Sequence, residues 1–450
     1  MLIRIVIDNL YSFKSQTEFN LLPSRVQHLP HHKINQNGIS FLRMSALYGA
    51  NGAGKTNMIK TMDLLSQLVK RGKITSDLTQ IKFRLNEECK RKPSSIAVEF
   101  ISGNTTFYYT ISFDGKEVVY EYLAESTKES DSLIFEREYS EGKEHIQMYE
   151  GYANNEKNKV FIEVLEEKLI GRNNLLLSFL SEKYEKDFPL IHLACDWFVN
   201  KLKIISSRER ERPIVHMLDK DSRLFKFAND MVSSFDTGIS SMIVTKNEVK
   251  DEEEQLYNMF QGSSSDVENI TEVENKMTGE QITFVRENEK IMAKRLMAAH
   301  KNDENVDVAF NIGLESDGTQ RLLHYLPFIY DVIENDYVYL IDEIERSIHP
   351  INIKNIISSL SEREDLKGQL VFTTHESSLL DQNILRTDEI WFAQKDKMGA
   401  TQLYSLSDYN VHHTANIENG YLNGRYGGIP FTSNLNDIHW KENEQVFSKT

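Results

Sequence analysis

The stretch Phe41-Leu42-Arg43-Met44-Ser45-Ala46-Leu47-Tyr48-Gly49-Ala50-Asn51-Gly52-Ala53-Gly54-Lys55-Thr56 decides the fold. Its first half, Phe41 to Tyr48, is a mostly apolar run closed by Gly49, which predicts a strand. After Lys55 the apolar residues Met58, Met62, Leu65 and Val69, flanked by Ile59 and Leu68, recur at steps of three and four and stop at Gly72. That period predicts a helix with a glycine beyond its end. Between strand and helix, Gly49 to Thr56 fits GxxxxGK[ST]. In that setting Gly49, Asn51, Gly52, Ala53 and Gly54 form a loop whose glycines let backbone N–H groups approach phosphates. Lys55 then reaches the β and γ oxygens, the Thr56 hydroxyl can ligate Mg²⁺, and the helix N-terminus favours the anion. A glycine-rich turn with a chance lysine accounts for the loop alone, but not for the strand before it and the helix after it.

Three further segments carry chemistry. Tyr337-Val338-Tyr339-Leu340-Ile341 is an apolar strand ending in Asp342-Glu343. A phosphate site needs one carboxylate for the metal and one beside the attacking water, so Asp342 is the candidate metal ligand and Glu343 the candidate base. Leu370-Val371-Phe372 is a second strand with a polar end, Thr373-Thr374-His375. Glu315-Ser316-Asp317-Gly318-Thr319-Gln320 precedes a helical pattern of Leu322, Leu323, Leu326, Ile329 and Ile333, and on its own reads as a capped helix start.

The order of these segments resembles that of ABC-type ATPases. Residues 315–320 are similar to the LSGGQ signature of that family, with Glu315, Asp317 and Thr319 departing from it. The resemblance implies a composite site in which Ser316 and Gly318 of one copy close on the γ-phosphate held by the P-loop of another. It also implies that His375 is the switch histidine that contacts that phosphate. His349 stands where the family's D-loop usually has aspartate, and no position is assigned to the family's glutamine loop, since Gln80, the candidate for it, reads more simply as an exposed polar residue. The wording of Ile341 to Pro350, of Thr373-Thr374-His375 and of Tyr421 to Pro430 resembles the SMC, RecF and OLD branch. Within it, the match is to bacterial abortive-infection ATPases that work beside a separate effector, the group that includes the ATPase subunit of the PARIS antiphage system. No acid followed by a DxD strand is found after His375, so a TOPRIM nuclease is not expected there. The implied protein hydrolyses ATP with Mg²⁺, forms homo-oligomers through ATP-closed sites and controls a separate effector, a nuclease by analogy, with DNA or a phage protein as trigger. A RecF-like DNA-maintenance ATPase and a nucleotide-gated scaffold with negligible turnover are the alternatives; the absence of an NKxD-type guanine reader disfavours a GTPase.

The expected fold is α/β, an ABC-type P-loop ATPase core with an antiparallel β subdomain and a mainly helical insertion. Residues 1–123 supply the first half of the core with a β meander, read from Ile96 to Phe100, Thr105 to Phe113 and Val118 to Leu123. Residues 124–300 form the insertion, and 301–450 the second half of the core. Inside the insertion, Asp251 to Asn275 holds eight acidic residues and no Lys or Arg, half of the net charge of −16, and is expected to be a mobile loop. The chain has 450 residues, 40% hydrophobic and 27% charged, which suits a folded protein and excludes collagen, rod and mucin classes. Its acidic balance argues against indiscriminate nucleic-acid coating. Lys201, Lys203, Arg208, Arg210 and Arg212 form a basic cluster that is either a solvated helical face or a nucleic-acid contact. Two cysteines without CxxC spacing, Leu2 to Asp8 as a strand rather than an export signal, and no apolar run near the roughly 20 residues of a membrane helix fit a cytoplasmic protein. His28, His31 and His32 read as a solvated turn.

Overall fold

The structure, a computed structural model, describes residues 1–127, 130–206, 214–235, 237–249, 270–275, 277–287, 290–409, 411–412 and 415–429. Its centre is a six-stranded sheet in the order Leu202–Ile205, Val338–Ile341, Gln369–Thr373, Met44–Gly49, Ile390–Lys395 and Thr401–Ser405. All neighbours are parallel except the last pair. Parallel strands are covered on both faces, which is why they read as continuous apolar runs. Alternate residues serve the two faces. Leu47, Val338, Leu340, Val371, Trp391 and Ala393 meet Met58, Met62, Leu65 and Val69 of helix Lys55–Arg71. Ala46, Tyr48, Tyr339, Ile341, Leu370 and Phe372 meet helices Asp317–Glu334 and Pro350–Ser361.

Above the first helix lies a seven-stranded antiparallel sheet, Lys143–Met148, Asp131–Ser140, Glu117–Ser126, Thr105–Asp114, Ser94–Ser102, Leu2–Asp8 and Thr17–Asn20. The meander is thus part of a larger sheet that continues past residue 123. A buried glutamine stitches this sheet to the core: Gln369 Oε1 accepts from Leu2 N at 2.7 Å while its Nε2 donates to the carbonyls of Leu2 and Leu42. The expected strand Phe41 to Tyr48 is two strands that part at Arg43. Ile39–Leu42 pairs with Lys33–Gln36, and only Met44–Gly49 enters the core.

The segment 124–300 is helical only between Glu150 and Phe235, and even there Leu202–Ile205 joins the core sheet. A third, antiparallel sheet follows: Ile239–Glu248, Lys290–Lys301, Gln281–Glu287 and Ile270–Glu274, with Asp307–Asn311 also paired to Lys290–Lys301. It crosses the expected boundary at 300. The composition of Lys290–Lys301, KIMAKRLMAAHK, favours helix. Pairing along both edges overrides that preference, since strand formation depends more on neighbours than on local propensity. Residues 251–269 of the expected acidic loop lie outside the described residues; Ile270–Glu274, at its end, is a strand paired with 281–285. Leu296 and Ala298 of this sheet pack with Leu323 and Leu326, so it sits against the start of the helix that carries Ser316 and Gly318.

Candidate functional site

Strand Met44–Gly49 delivers the loop Ala50–Gly54 to the carboxyl edge of the sheet, where helix Lys55–Arg71 begins. Two glycines are required by space. A Cβ on Gly49 would lie 2.5 Å from the carbonyl of Ala393, and one on Gly54, whose φ is 114°, would lie 2.2 Å from Thr401 Oγ1. Thr401 itself donates to the Ala53 carbonyl at 2.8 Å and its Oγ1 is hydrogen-bonded to the Ser12 hydroxyl at 2.7 Å, while Asn57 Nδ2 donates to Ser12 Oγ at 2.8 Å. Ser12 and Thr401 thereby bolt the loop to two distant segments. Neither is visible in the sequence, because their role is created by tertiary contact.

The acidic and histidine strands bring their ends to the same place. Asp342 is 1% exposed. Its Oδ1 accepts from Thr56 Oγ1 at 3.1 Å and from Thr373 Oγ1 at 2.7 Å. Lys55, 5% exposed, donates to the Gly49 carbonyl at 2.7 Å, to the Ala50 carbonyl at 3.4 Å and to His375 Nε2 at 2.9 Å. Burial pulls the Lys55 ammonium down to about 8, opposed by the negative charges of Glu345, Asp342 and Glu343. Burial and then the neighbouring Lys55 also lower His375, which keeps its imidazole neutral and able to accept from Lys55. The His375 backbone N–H is held by Glu345 Oε1 at 2.7 Å. Glu345 is two residues beyond Glu343, close enough to have been suspected from the acidic run.

A cavity of about 270 Å³ is lined by Asn51, Gly52, Ala53, Gly54, Lys55, Thr56, Asn57, Glu343 and His375. The structure therefore brings together Gly49, Asn51, Gly52, Ala53, Gly54, Lys55, Thr56, Asp342, Glu343 and His375. Loop N–H groups, a helix N-terminus and a lysine suit a polyphosphate. Among the described residues no group of three or more His, Cys, Asp or Glu could hold a metal. Mg²⁺ bound with phosphates needs less, since it takes few protein oxygens and fills the rest with water and phosphate. The Thr56 hydroxyl and the buried Asp342 carboxylate fit that donor set.

Ser316 and Gly318 lie elsewhere and do not line this cavity. Ser316 is exposed, and its hydroxyl caps helix Asp317–Glu334 by accepting from Thr319 N at 3.1 Å. Gly318 packs against the D-loop: a Cβ there would meet the Ser347 carbonyl at 2.9 Å. His349 caps helix Pro350–Ser361. Gln80 is exposed in a short helical turn. Tyr421 and Tyr426 stack near Phe392 on the far side of the P-loop strand; Pro430 lies outside the described residues.

Of the described residues of the basic cluster, Lys201 ends the helical turn Trp197–Lys201 and only Lys203 departs from a helical face. Lys201 precedes and Lys203 lies within the edge strand Leu202–Ile205, and Lys201 pairs with Asp336 at 2.5 Å. Arg208, Arg210 and Arg212 lie outside the described residues. The histidine cluster is likewise not a solvated turn, because His32 is 2% exposed and bonded to the Glu389 carboxylate at 2.9 Å. Its partner lies 357 positions away, beyond the reach of local spacing.

No curated protein matches the sequence. Among solved structures, an SMC head bound to the C-terminal winged-helix domain of ScpA is 11% identical over 90% of this chain and 97% of that chain, with a TM-score of 0.42. The SMC head domain from Thermotoga maritima is 10% identical over 90% and 98%, with a TM-score of 0.38. An SMC head with an extended coiled coil, from Pyrococcus furiosus, is 12% identical over 90% and 96%, with a TM-score of 0.41. Residues 44–381 match the family described as "AAA domain, putative AbiEii toxin, Type IV TA system". That span is most of the chain and contains every residue of the cavity, so the chain belongs to that family.

Proposed function

We propose that the protein binds and hydrolyses ATP, closes copies of itself around the nucleotide, and uses that closure to hold or release a separate toxic effector in defence against phage. The observation that carries the reading is the division of the site. Lys55, Thr56, Glu343 and His375 line one cavity with the Asp342 carboxylate bonded to Thr56, while the exposed Ser316 and the half-buried Gly318 do not line it.

In this reading the loop N–H groups and Lys55 bind the phosphates. Lys55 leaves the carbonyls of Gly49 and Ala50 for the β and γ oxygens, which offer it a full negative charge. Thr56 and Asp342 would hold Mg²⁺, which would supply positive charge beside the transferring phosphoryl group. Glu343 lines the cavity and takes a proton from, or orients, the attacking water. His375, released by Lys55, donates to the γ-phosphate once its Nε2 carries the ring proton. Ser316 and Gly318 of a second copy supply a helix N-terminus to the same phosphate. The family description names a toxin, and the resemblance of the sequence to abortive-infection ATPases supports a separate effector, with a nuclease as the first candidate and DNA or a phage protein as trigger.

Glu343→Gln separates these steps. It should lower kcat about 10²- to 10⁴-fold while ATP still binds, and ATP should then accumulate associated copies on size exclusion. A Glu343→Gln variant that turned over ATP like wild type would remove Glu343 from the role of base. Loss of steady-state hydrolysis in wild type would leave a nucleotide-gated scaffold. Co-expression with the product of the neighbouring reading frame tests the effector: growth arrest released by nucleotide-site variants supports it.

A further inference from the structure

We propose that Thr373 is the positioning residue that couples the metal carboxylate of Asp342 to the base Glu343; this rests on the ATPase reading above. Thr373 ends the strand Gln369–Thr373, which lies between the acidic strand and the P-loop strand, and its side chain is 0% exposed. A hydroxyl has one proton to give and lone pairs to receive. Here both capacities are used within the site. Thr373 Oγ1 donates to Asp342 Oδ1 at 2.7 Å and accepts from the Glu343 backbone N–H at 2.8 Å. Its own carbonyl accepts from Ile344 N at 3.1 Å. Two successive N–H groups of the turn that aims Glu343 are therefore held by one residue.

The turn needs holding. Glu343 has a φ of 52°, a left-handed conformation that costs a residue with a side chain and persists when its surroundings fix it. The oxygen that receives the Thr373 proton is also the one bonded to Thr56 at 3.1 Å, so the same carboxylate is tied to the P-loop helix and to the base. Movement of Asp342 toward a metal shifts the hydroxyl that carries Glu343 N–H. Metal occupancy and base placement become one event. The β-branched Thr is at home in a strand, and a valine of nearly the same shape could fill its space. What valine cannot supply is the bridge.

The test uses Thr373→Val and Thr373→Ala as two hydroxyl deletions and Thr373→Ser as the conservative variant, all in the full chain. Nucleotide affinity is measured with fluorescent ATP in EDTA and across a Mg²⁺ titration, beside steady-state kinetics. With the hydroxyl removed, affinity in EDTA should stay within about twofold and KM within about threefold of wild type. The Mg²⁺ concentration for half-maximal effect should rise about tenfold and kcat should fall about 10- to 100-fold, the scale of one lost hydrogen bond to a charged group. Thr373→Ser should restore both. The proposal is overturned if Val and Ala keep the wild-type Mg²⁺ dependence and kcat, or if Ser is as impaired as they are. If wild type itself does not hydrolyse ATP, the ATPase reading fails, and the Mg²⁺ dependence of binding still decides the role of Thr373.

Discussion

The P-loop cavity and the Ser316 loop differ in how completely this chain builds them. In the cavity, Lys55 is buried with three acceptors, Asp342 receives two hydroxyls, and even the loop backbone is fixed by Thr401 and Ser12. At the other region an exposed serine caps a helix and a glycine touches the D-loop. The first is preorganised when the chain folds; the second, in the proposed closure, is a surface for another copy. If that closure occurs, a residue's burial separates substitutions that abolish binding from those that leave binding intact and abolish assembly.

Lys55→Ala should produce the largest effect. It removes the lysine that lines the cavity, and two or more charge-assisted hydrogen bonds to phosphate amount to roughly 100-fold or more in ATP affinity. Fluorescent nucleotide binding measures it. Thermal stability should hold or rise, because the substitution also removes a charge that burial disfavours. Wild-type affinity in the variant would break the assignment of the cavity.

A second variant probes the scaffold of the preformed half. The carbonyl of Glu389 accepts from Ala46 N at 2.8 Å and from Ser45 Oγ at 2.9 Å in the P-loop strand, while its carboxylate holds His32. Around the pair stand Ser361, Arg386, Asp388, His28 and His31. Burial disfavours the charge on His32, but its hydrogen bonds to Glu389 and Ser361 and the charge of Glu389 outweigh that and raise it. Burial likewise raises Glu389, with His32 opposing. Both shifts mean that the folded state binds protons the unfolded chain releases. The stabilisation is complete below about pH 6.5, the unfolded histidine value, and is lost as pH rises through the raised folded value. His32→Gln should cost about 3 kcal/mol at pH 6, with the deficit shrinking toward pH 9. Denaturant melts at both pH values measure it, and a deficit that grew with pH would reverse the sign assigned here.

The exposed half is probed by Ser316→Arg. Nucleotide affinity of the single chain should stay within about twofold. ATP-driven association and turnover should fall about tenfold or more, since a long cation replaces a small cap at the surface where a second copy would close. Size exclusion with ATP and steady-state kinetics check both arms. Equal loss of binding would mean that Ser316 serves its own chain's site.

The same contrast explains what could be read from sequence. The P-loop, Asp342-Glu343 and Thr373-Thr374-His375 were legible because each lies at the end of a strand buried on both faces, and such strands leave uninterrupted apolar runs. The third sheet was not: Lys290–Lys301 is rich in Ala, Met, Lys and Leu, and only its pairing with three neighbouring strands makes it extended. The split at Arg43 was hidden for the opposite reason, because two strands of different sheets follow one another with a single polar residue between them. His32, Ser12 and Thr401 were missed because their partners are hundreds of positions away.

The smallest effect is expected at the basic cluster. Lys201 is about one third exposed and Asp336 nearly two thirds exposed, with 31% and 62% of their side chains accessible, and the pair spans 2.5 Å. Exposed ion pairs of this kind contribute roughly 0–1 kcal/mol. Lys201 and Lys203 also lie over the ring of Tyr337, at 5.3 Å and 4.9 Å from its centroid, so both are already engaged within the chain. Lys201→Ala should therefore lower stability by less than about 1 kcal/mol and leave ATP turnover unchanged. Duplex binding provides the sharper readout. If this edge strand faces solvent, titration with labelled duplex at low and moderate salt gives the same curve for Lys201→Ala and wild type. A salt-dependent affinity in wild type that Lys201→Ala weakens would move the edge of the core sheet from scaffold to nucleic-acid contact, and with it the protein toward the DNA-maintenance alternative.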